Sequence, residues 1–406
     1  MATLLLVADA LARVLDGAQP LPAEDASLSE AEGRVLTTDL AALRTQPPAD
    51  VSAMDGYAVR AADVASVPMA LKVIGEVAAG RPFPGQVGPG EAARIFTGGV
   101  VPAGADTIVI QENTKRDGER VTVTTPEKSG RHIRRAGLDF AQGTVLLCKG
   151  RRLTDRDVML AAAMNYPAVP VHRRPKIAVL GTGDELVAPG ATLGPGQIVY
   201  SNGFALMALA RREGAEVLDL GVVPDRVGET VAAIRSARQA KTDILLTTGG
   251  ASVGDHDLVQ KALAAEGLAL SFWKVALRPG RPMMHGRLGA MHVLGVPGNP
   301  VSAYVCSVLF LVPLLRRLAG RADVVPRTES AVLGQALPAN DERADYMRAT
   351  LAEGPNGEAV ATPIRVQDSS MMAALAKADC LVIREPHAPT VGAGERCVIL
   401  RLKPAL

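Results

Sequence analysis

Between residues 176 and 320 apolar runs and helical patterns alternate, and no other feature of the chain constrains its fold as strongly. The runs are "KIAVLG", "EVLDLGVV", "DILLTT", "LSFWKVA" and "MHVLGV". Short apolar runs bounded by glycine or polar residues read as buried strands. Ser201, Asp225, Asp255 and Asn299 are N-capping residue types that open the helical stretches between them. Strands separated by helices specify a doubly wound α/β domain with a mostly parallel sheet.

In an open α/β sheet, ligands bind outside the carboxyl ends of the strands. Here the first strand delivers "GTGDEL", with Gly181, Gly183, Asp184 and Glu185. The second delivers Asp225. The third runs into "TTGGASVGDHD", with Gly249, Gly250, Ser252, Asp255 and Asp257. Such a turn could hold an anion, a metal, both, or nothing. "FWKVALRPGRP" adds Lys274, Arg278 and Arg281. The fifth strand ends in "GVPGNPVS", with Pro297, Gly298, Asn299, Pro300 and Ser302.

Known phosphate fingerprints are absent. "GTGDEL" has Leu186 where a dinucleotide site needs its last glycine, and no P-loop occurs. "PGNPVS" suits a helix start, with Asn299 as N-cap and Pro300 at the first position, and free N–H groups there attract anions. Taken singly, each residue has a plain structural role: Asp225 a helix cap, Glu185 a salt bridge, Lys274 a solvated strand residue, Arg278 and Arg281 a basic loop, His256 a helix-start residue, Cys306 core. Convergence favours function, because three carboxylates on successive strand ends are costly together unless a cation or a protonated partner joins them. A hard cation such as Mg2+ prefers such oxygen ligands.

The rest of the chain reads as three further pieces. Residues 1 to about 45 read as mostly helical, with apolar Val7, Leu11, Val14 and Leu15 at helical spacing, and "TQPPAD" breaks the pattern. Residues 46–130 form a β-rich stretch, in which "VSAMDGYAVR" places Asp55 and "RIFTGGVV" places Thr97 in glycine turns. Turn chemistry alone accounts for either. Residues 131–175 hold the strand "TVLLCKG" and a helix from Asp155, read as its N-cap, to Asn165. Residues 321–406 return to β structure around one short helix, "MMAALAKA".

At 406 residues the chain has room for two to four domains, at roughly 100–200 residues each. Lys plus Arg number 44 against 42 acids, and aromatics are 3%, which leaves no case for nucleic acid. The four cysteines form no C-x-x-C pair, so zinc and a disulfide framework are not indicated, and reduced thiols point to the cytoplasm. The N-terminus reads as an amphipathic helix rather than a signal peptide. The apolar run 301–315 falls short of the roughly 20 residues that span a bilayer, so no membrane association is expected.

Six motifs in order, "SAMDGYAVR", "RIFTGGVVPAGADTIV", "GTGDEL", "SNG", "TTGGASVGDHD" and "GVPGNPVSA", resemble the molybdopterin molybdenumtransferase family. The resemblance implies four domains: 1–45 with 131–175, 46–130, 176–320, and a C-terminal β-barrel-like 321–406. It implies an elongated homodimer whose active cleft lies between the second domain of one subunit and the third and fourth of the other. It also implies the reaction: molybdate enters the dithiolene of adenylylated molybdopterin, with Mg2+, and AMP leaves. The pathway's adenylyltransferase is an implied partner.

By matching motif, Asp55, Thr97, Asp139, Glu185, Asp225 and Asp255 fall where the family has functional polar residues, Asp139 through "RRAGLDFAQG". Glu185, Asp225 and Asp255 would hold Mg2+. Gly249, Gly250 and Ser252 would face the pterin phosphate, leaving Asp257 as a first-turn helix residue. Lys274, Arg278 and Arg281 match the basic segment, and Pro297 and Pro300, with Gly298, Asn299 and Ser302, the PGNP turn. Arg343, Arg348, Ser369 and Ser370 match positions linked to the molybdate side. One departure stands out: the bacterial family usually reads Lys-Pro-Gly-Lys-Pro where this chain has "RPGRP", and arginine is a planar fork where lysine is a point charge. The rival readings are an adenylyltransferase and a non-catalytic cofactor carrier or scaffold.

Overall fold

A computed structural model describes residues 4–249 and 258–402. Its central sheet has six strands in the order Glu216–Val223, Lys176–Thr182, Ile244–Thr248, Met291–Val296, Met284–Leu288, Ala269–Phe272. The first four are parallel, Met284–Leu288 runs antiparallel to them, and Ala269–Phe272, antiparallel to its neighbour, runs with the first four. Both faces are covered, as a parallel sheet requires. On one face Ile177, Val179, Ile244, Leu246, Leu294 and Val296 pack against the helix Asn202–Arg212 and the long helix from Pro300 to Leu318. On the other, Ala178, Leu180, Leu245 and Val293 meet Val227–Gln239 and Leu258–Ala265. Each fully buried Leu, Ile or Val side chain stabilises such a core by roughly 1.5–3 kcal/mol.

Register places the functional edge. Gly181 pairs with Thr248, and Thr248 with Val296. Three strands therefore end at one level, and the turns that follow each of them lie side by side.

Several sequence expectations need correction. "LSFWKVA" is not one strand: it stops at Phe272, and Leu277–Arg278 instead pairs with Ala344–Glu353 of the C-terminal unit. Met284–Leu288 is a strand that the sequence pattern conceals, folded back on Met291–Val296 through Gly289. Residues 1–45 are not mostly helical. The helix Val7–Leu15 is followed by the strands Ala23–Ser27 and Leu40–Ala41, because Pro20 and Pro22 remove the amide donors a helix would need. Ala23–Ser27 pairs with Ala168–His172, and Leu36, Leu40, Leu147, Leu153, Met164 and Val171 share one core. The helix Asp155–Ala163 is capped by Thr154, not Asp155: Thr154 and Asp157 form a reciprocal capping box. Asp225 precedes its helix by two residues, and Arg226 is the N-cap.

The β-rich stretch is a six-stranded sheet in the order Thr107–Ile110, Gly56–Val59, Glu91–Ile95, Met69–Val77, Arg120–Val123, Thr114–Asp117. The C-terminal strands Ala344–Glu353, Ala359–Pro363, Thr328–Leu333, Arg396–Arg401 and Cys380–Arg384 close on themselves as a five-stranded barrel. The apolar helix spanning Pro300–Leu318 is 19 residues, longer than the sequence run suggested. It is long and apolar enough to cross a bilayer, yet 83% of its apolar window is buried in the core, so it is a core helix here. All four cysteines are free thiols.

Candidate active site at the strand ends

The aligned turns are built from residues that only fit there. Gly249 has φ +91°, and a Cβ would lie 2.4 Å from the Thr182 carbonyl oxygen, so only glycine lets the third strand leave beside the first. Tyr200 lies where a Cβ on Gly181 or Gly203 would stand, within 2.6 and 2.0 Å of its ring and hydroxyl. That burial, with Asp219 nearby, pushes the tyrosine pKa up to about 12, so Tyr200 stays a neutral wedge beneath the edge. Asn202 opens the next helix. Its amide Nδ2 donates to Thr248 Oγ1 at 3.1 Å and to the Gly298 carbonyl at 2.6 Å. One side chain thus ties the end of Ile244–Thr248 to the PGNP turn that follows Met291–Val296.

The carboxylates gather at the adjoining corner. The Asp225 backbone N–H donates to Asp184 Oδ1 at 3.1 Å. Desolvation first, then the negative charges of Asp184 and Glu185, raise the Asp225 pKa. Three acids crowding one corner resist full ionisation, and a hard cation would relieve them. Among the described residues no group of three His, Cys, Asp or Glu side chains is arranged as a ligand set. Gly250, Ser252, Asp255 and Asp257 lie outside the described residues, so the metal expectation rests on Glu185 and Asp225, to which the structure adds Asp184.

The basic segment divides. Lys274 and Arg281 are exposed, and neither side chain has a partner among the described residues. Arg278 instead faces the barrel and binds Asp341, Asp345 and Asn340. Asn299 stands at the N-cap position but does not cap: its Nδ2 donates to Ser369 Oγ at 2.9 Å, and the Val301 N–H donates to the Ser369 carbonyl at 3.0 Å. The barrel loop 364–371 therefore sits on the helix start. Pro300 is the first residue of that helix, and Pro297 and Ser302 are buried beside it. Arg348 is 1% exposed and holds the loop from within, through Gln367 Oε1 and the Met371 carbonyl. Arg343 pairs with Asp341, and the Ser370 hydroxyl with Asp368. Between Ser201, Asn202, Pro300, Tyr304, Met372 and Leu375 lies a cleft of about 450 Å³.

Asp55 and Thr97 come together elsewhere. Asp55 Oδ1 accepts both the backbone N–H and the hydroxyl of Thr97, each at 2.8 Å, and these bonds hold its pKa below the usual value. Asp139 is exposed, and its carboxylate has no partner among the described residues. The two cores beneath Asp55 and Thr97 draw only on residues 57 to 133, so they are separate from the cores under the strand-end edge. Sequence reasoning missed Asn202 as a site residue although "SNG" was among the telling motifs. It named Asp184 at the end of the first strand but did not carry it into the proposed ligand set, which took Glu185 by matching motif.

Comparison with known proteins agrees along the whole chain. A family model for the MoeA N-terminal region (domain I and II) matches residues 5–165. One for a probable molybdopterin binding domain matches 178–317, and one for the MoeA C-terminal region (domain IV) matches 330–402. The molybdopterin molybdenumtransferase of Haemophilus influenzae is 35% identical over 382 residues, 94% of each chain. That of Nostoc sp. is 41% identical over 309 residues, 74% of this chain and 70% of the relative. A crystal structure of the molybdopterin biosynthesis moeA protein from Pyrococcus horikoshii superimposes with a TM-score of 0.83 at 30% identity, covering 99% of this chain and 100% of that one.

Proposed function

This chain belongs to the molybdopterin molybdenumtransferase family, and we propose that it inserts molybdate into the dithiolene of adenylylated molybdopterin, releasing AMP. The observation that carries this reading is the strand-end edge. Glycine turns, one amide clamp and a carboxylate corner stand side by side there, with Lys274 and Arg281 exposed on the segment that follows.

The two substrates are anions, one a dianion and one a pyrophosphate. Lys274 and Arg281 gather them, and Asn202 keeps the Gly249 and Gly298 turns at the spacing the pterin phosphate needs. Glu185 and Asp225, with Asp255, would hold Mg2+, whose bound charge would stabilise the pyrophosphate as it breaks. Burial and then the charges of Asp184 and Glu185 raise the Asp225 pKa, so a proton competes for this carboxylate and a bound cation would lower that pKa again. No protein nucleophile is required: the dithiolene sulfurs bond to molybdenum, an oxo ligand leaves with two protons as water, and water cleaves the pyrophosphate to free AMP.

We further infer a cytoplasmic homodimer in which Asp55, Thr97 and Asp139 of one subunit face the edge of the other, working beside the pathway's adenylyltransferase. The test is incubation with adenylylated molybdopterin, molybdate and Mg2+. AMP release that depends on molybdate supports the transferase. ATP consumption with plain molybdopterin would replace it with adenylylation, and binding without turnover with a carrier. Asp225→Asn should lower kcat by at least about 100-fold, as loss of a charge-stabilising group does. Full Mg2+-dependent AMP release from that variant would remove Asp225 from the machinery.

A further inference from the structure

Arg278 lies in the basic segment, yet its guanidinium is already engaged. Nε and Nη2 donate to Asp345 Oδ2 at 3.0 and 2.7 Å. Nη1 donates to Asp341 Oδ2 at 3.1 Å, and Nη2 also to Asn340 Oδ1 at 3.0 Å. Four of its five N–H donors are thereby directed at three barrel side chains. The contact is part of the architecture: Leu277–Arg278 pairs in parallel with Ala344 and Asp345, and the Ala344 N–H donates to the Ala276 carbonyl at 2.9 Å.

The barrel side of the network is equally fixed. Asn340 Nδ2 donates to the carbonyls of Arg343, Arg384 and Glu385. Asp341 accepts the Arg343 backbone N–H at 2.9 Å on Oδ1 and its Nη2 at 2.7 Å on Oδ2, the oxygen Arg278 also uses. Two guanidiniums and two carboxylates cancel, so the cluster leaves little net charge to draw an oxyanion. A lysine here would be a point charge, unable to span Asp345, Asp341 and Asn340 at once.

We propose that Arg278 is a positioning residue that latches the C-terminal barrel to the α/β unit and, through Asp341, aims Arg343; the oxyanion at this segment is gathered by Lys274 and Arg281. The half concerning the oxyanion rests on the function proposed above, and the latch does not.

Asp345→Asn separates the two roles, because it removes a partner of Arg278 without removing a positive charge. Melting curves and calorimetric titration with sodium molybdate would be run on the full chain, the variants Arg278→Gln, Arg278→Lys and Asp345→Asn, and the Arg278→Gln/Asp345→Asn double. The latch requires each single variant to melt lower than the parent, the double to melt no lower than the worse single, and molybdate binding to weaken or hold in both Arg278→Gln and Asp345→Asn. Additive losses in melting temperature overturn it, as does tighter molybdate binding by Asp345→Asn alongside weaker binding by Arg278→Gln, the signature of a freed anion ligand. Arg278→Lys supplies the charge-conserving comparison if Arg278→Gln does not fold. If the parent binds no molybdate, the proposed function fails, while the melting arm still decides the latch.

Discussion

At the scale of single residues, the glycine beside Asp55 is the most demanding position. A Cβ on Gly56 would stand 2.0 Å from the Val109 carbonyl oxygen of the neighbouring strand. Gly56 pairs with both Ile95 and Ile110, so neither neighbour can retreat without opening the sheet. Gly56→Ala should therefore destabilise the protein by about 1–3 kcal/mol, the ordinary penalty of overpacking. It should also shift Asp55 away from Thr97. Chemical denaturation measures the first effect, and a rise of the Asp55 pKa toward its unperturbed value, followed by NMR, measures the second. The sequence made Asp55 and Thr97 individually visible as polar residues in glycine turns. Their pairing was not visible, because they are joined only through the strands Gly56–Val59 and Glu91–Ile95 lying side by side. Arg278 shows the converse limit: its identity was plain, but whether it faced substrate or an acidic partner depended on Asp341 and Asp345, over 60 positions away.

At the scale of elements, the hairpin Met284–Leu288 with Met291–Val296 carries two buried histidines. The sequence hid its first strand because "MHGRL" mixes His, Gly and Arg into what would otherwise be an apolar run. Strands such as Ile244–Thr248, apolar and bounded by glycine, were legible because burial on both faces forces that composition. In the hairpin, Arg287 Nη1 lies 3.1 Å from His292 Nε2, and His292 Nδ1 lies 3.4 Å from His285 Nε2. Arginine only donates, so neutral His292 carries its proton on Nδ1 and passes the hydrogen bond to His285. Burial and then the Arg287 charge lower the His285 pKa to about 4. The same causes, with His285 added and Asp243 opposing, lower His292 to about 3. A depressed histidine pKa means that the unfolded chain binds the extra protons. Stability should be level above pH 6.5 and fall as pH drops from there toward 4, by at most about 2.7 kcal/mol per pH unit with both rings contributing. The double variant His285→Leu/His292→Leu should flatten melting temperature against pH between 6.5 and 5. An unchanged slope would remove the pair as its source.

At the scale of the whole molecule, the question is how two groups of candidate site residues on separate cores could serve one proposed reaction. Asp55 and Thr97 stand on the β-rich sheet, while Glu185, Asp225 and Asn202 stand on the α/β edge. Registers and motifs specify each group, but nothing in the order of residues along the chain says which copy of one group meets which copy of the other. Association in a closed two-fold dimer would answer this, since each interface appears twice and each cleft can take one group from each subunit. The arrangement has a genetic consequence that a one-subunit site lacks. Thr97→Val should disable the contribution of the β-rich sheet, and Asp225→Asn that of the edge, so either variant alone is inactive. Co-expressed in equal amounts, they would give about half mixed dimers, each with one cleft built wholly from intact residues and one carrying both lesions. Activity should therefore return to about a quarter of the parental level. Recovery of that size, lost when the two variants are purified separately and mixed without subunit exchange, identifies a cleft shared between subunits. Co-expressed variants that stay inactive, while each still sediments as a dimer, place both groups in the same subunit's site.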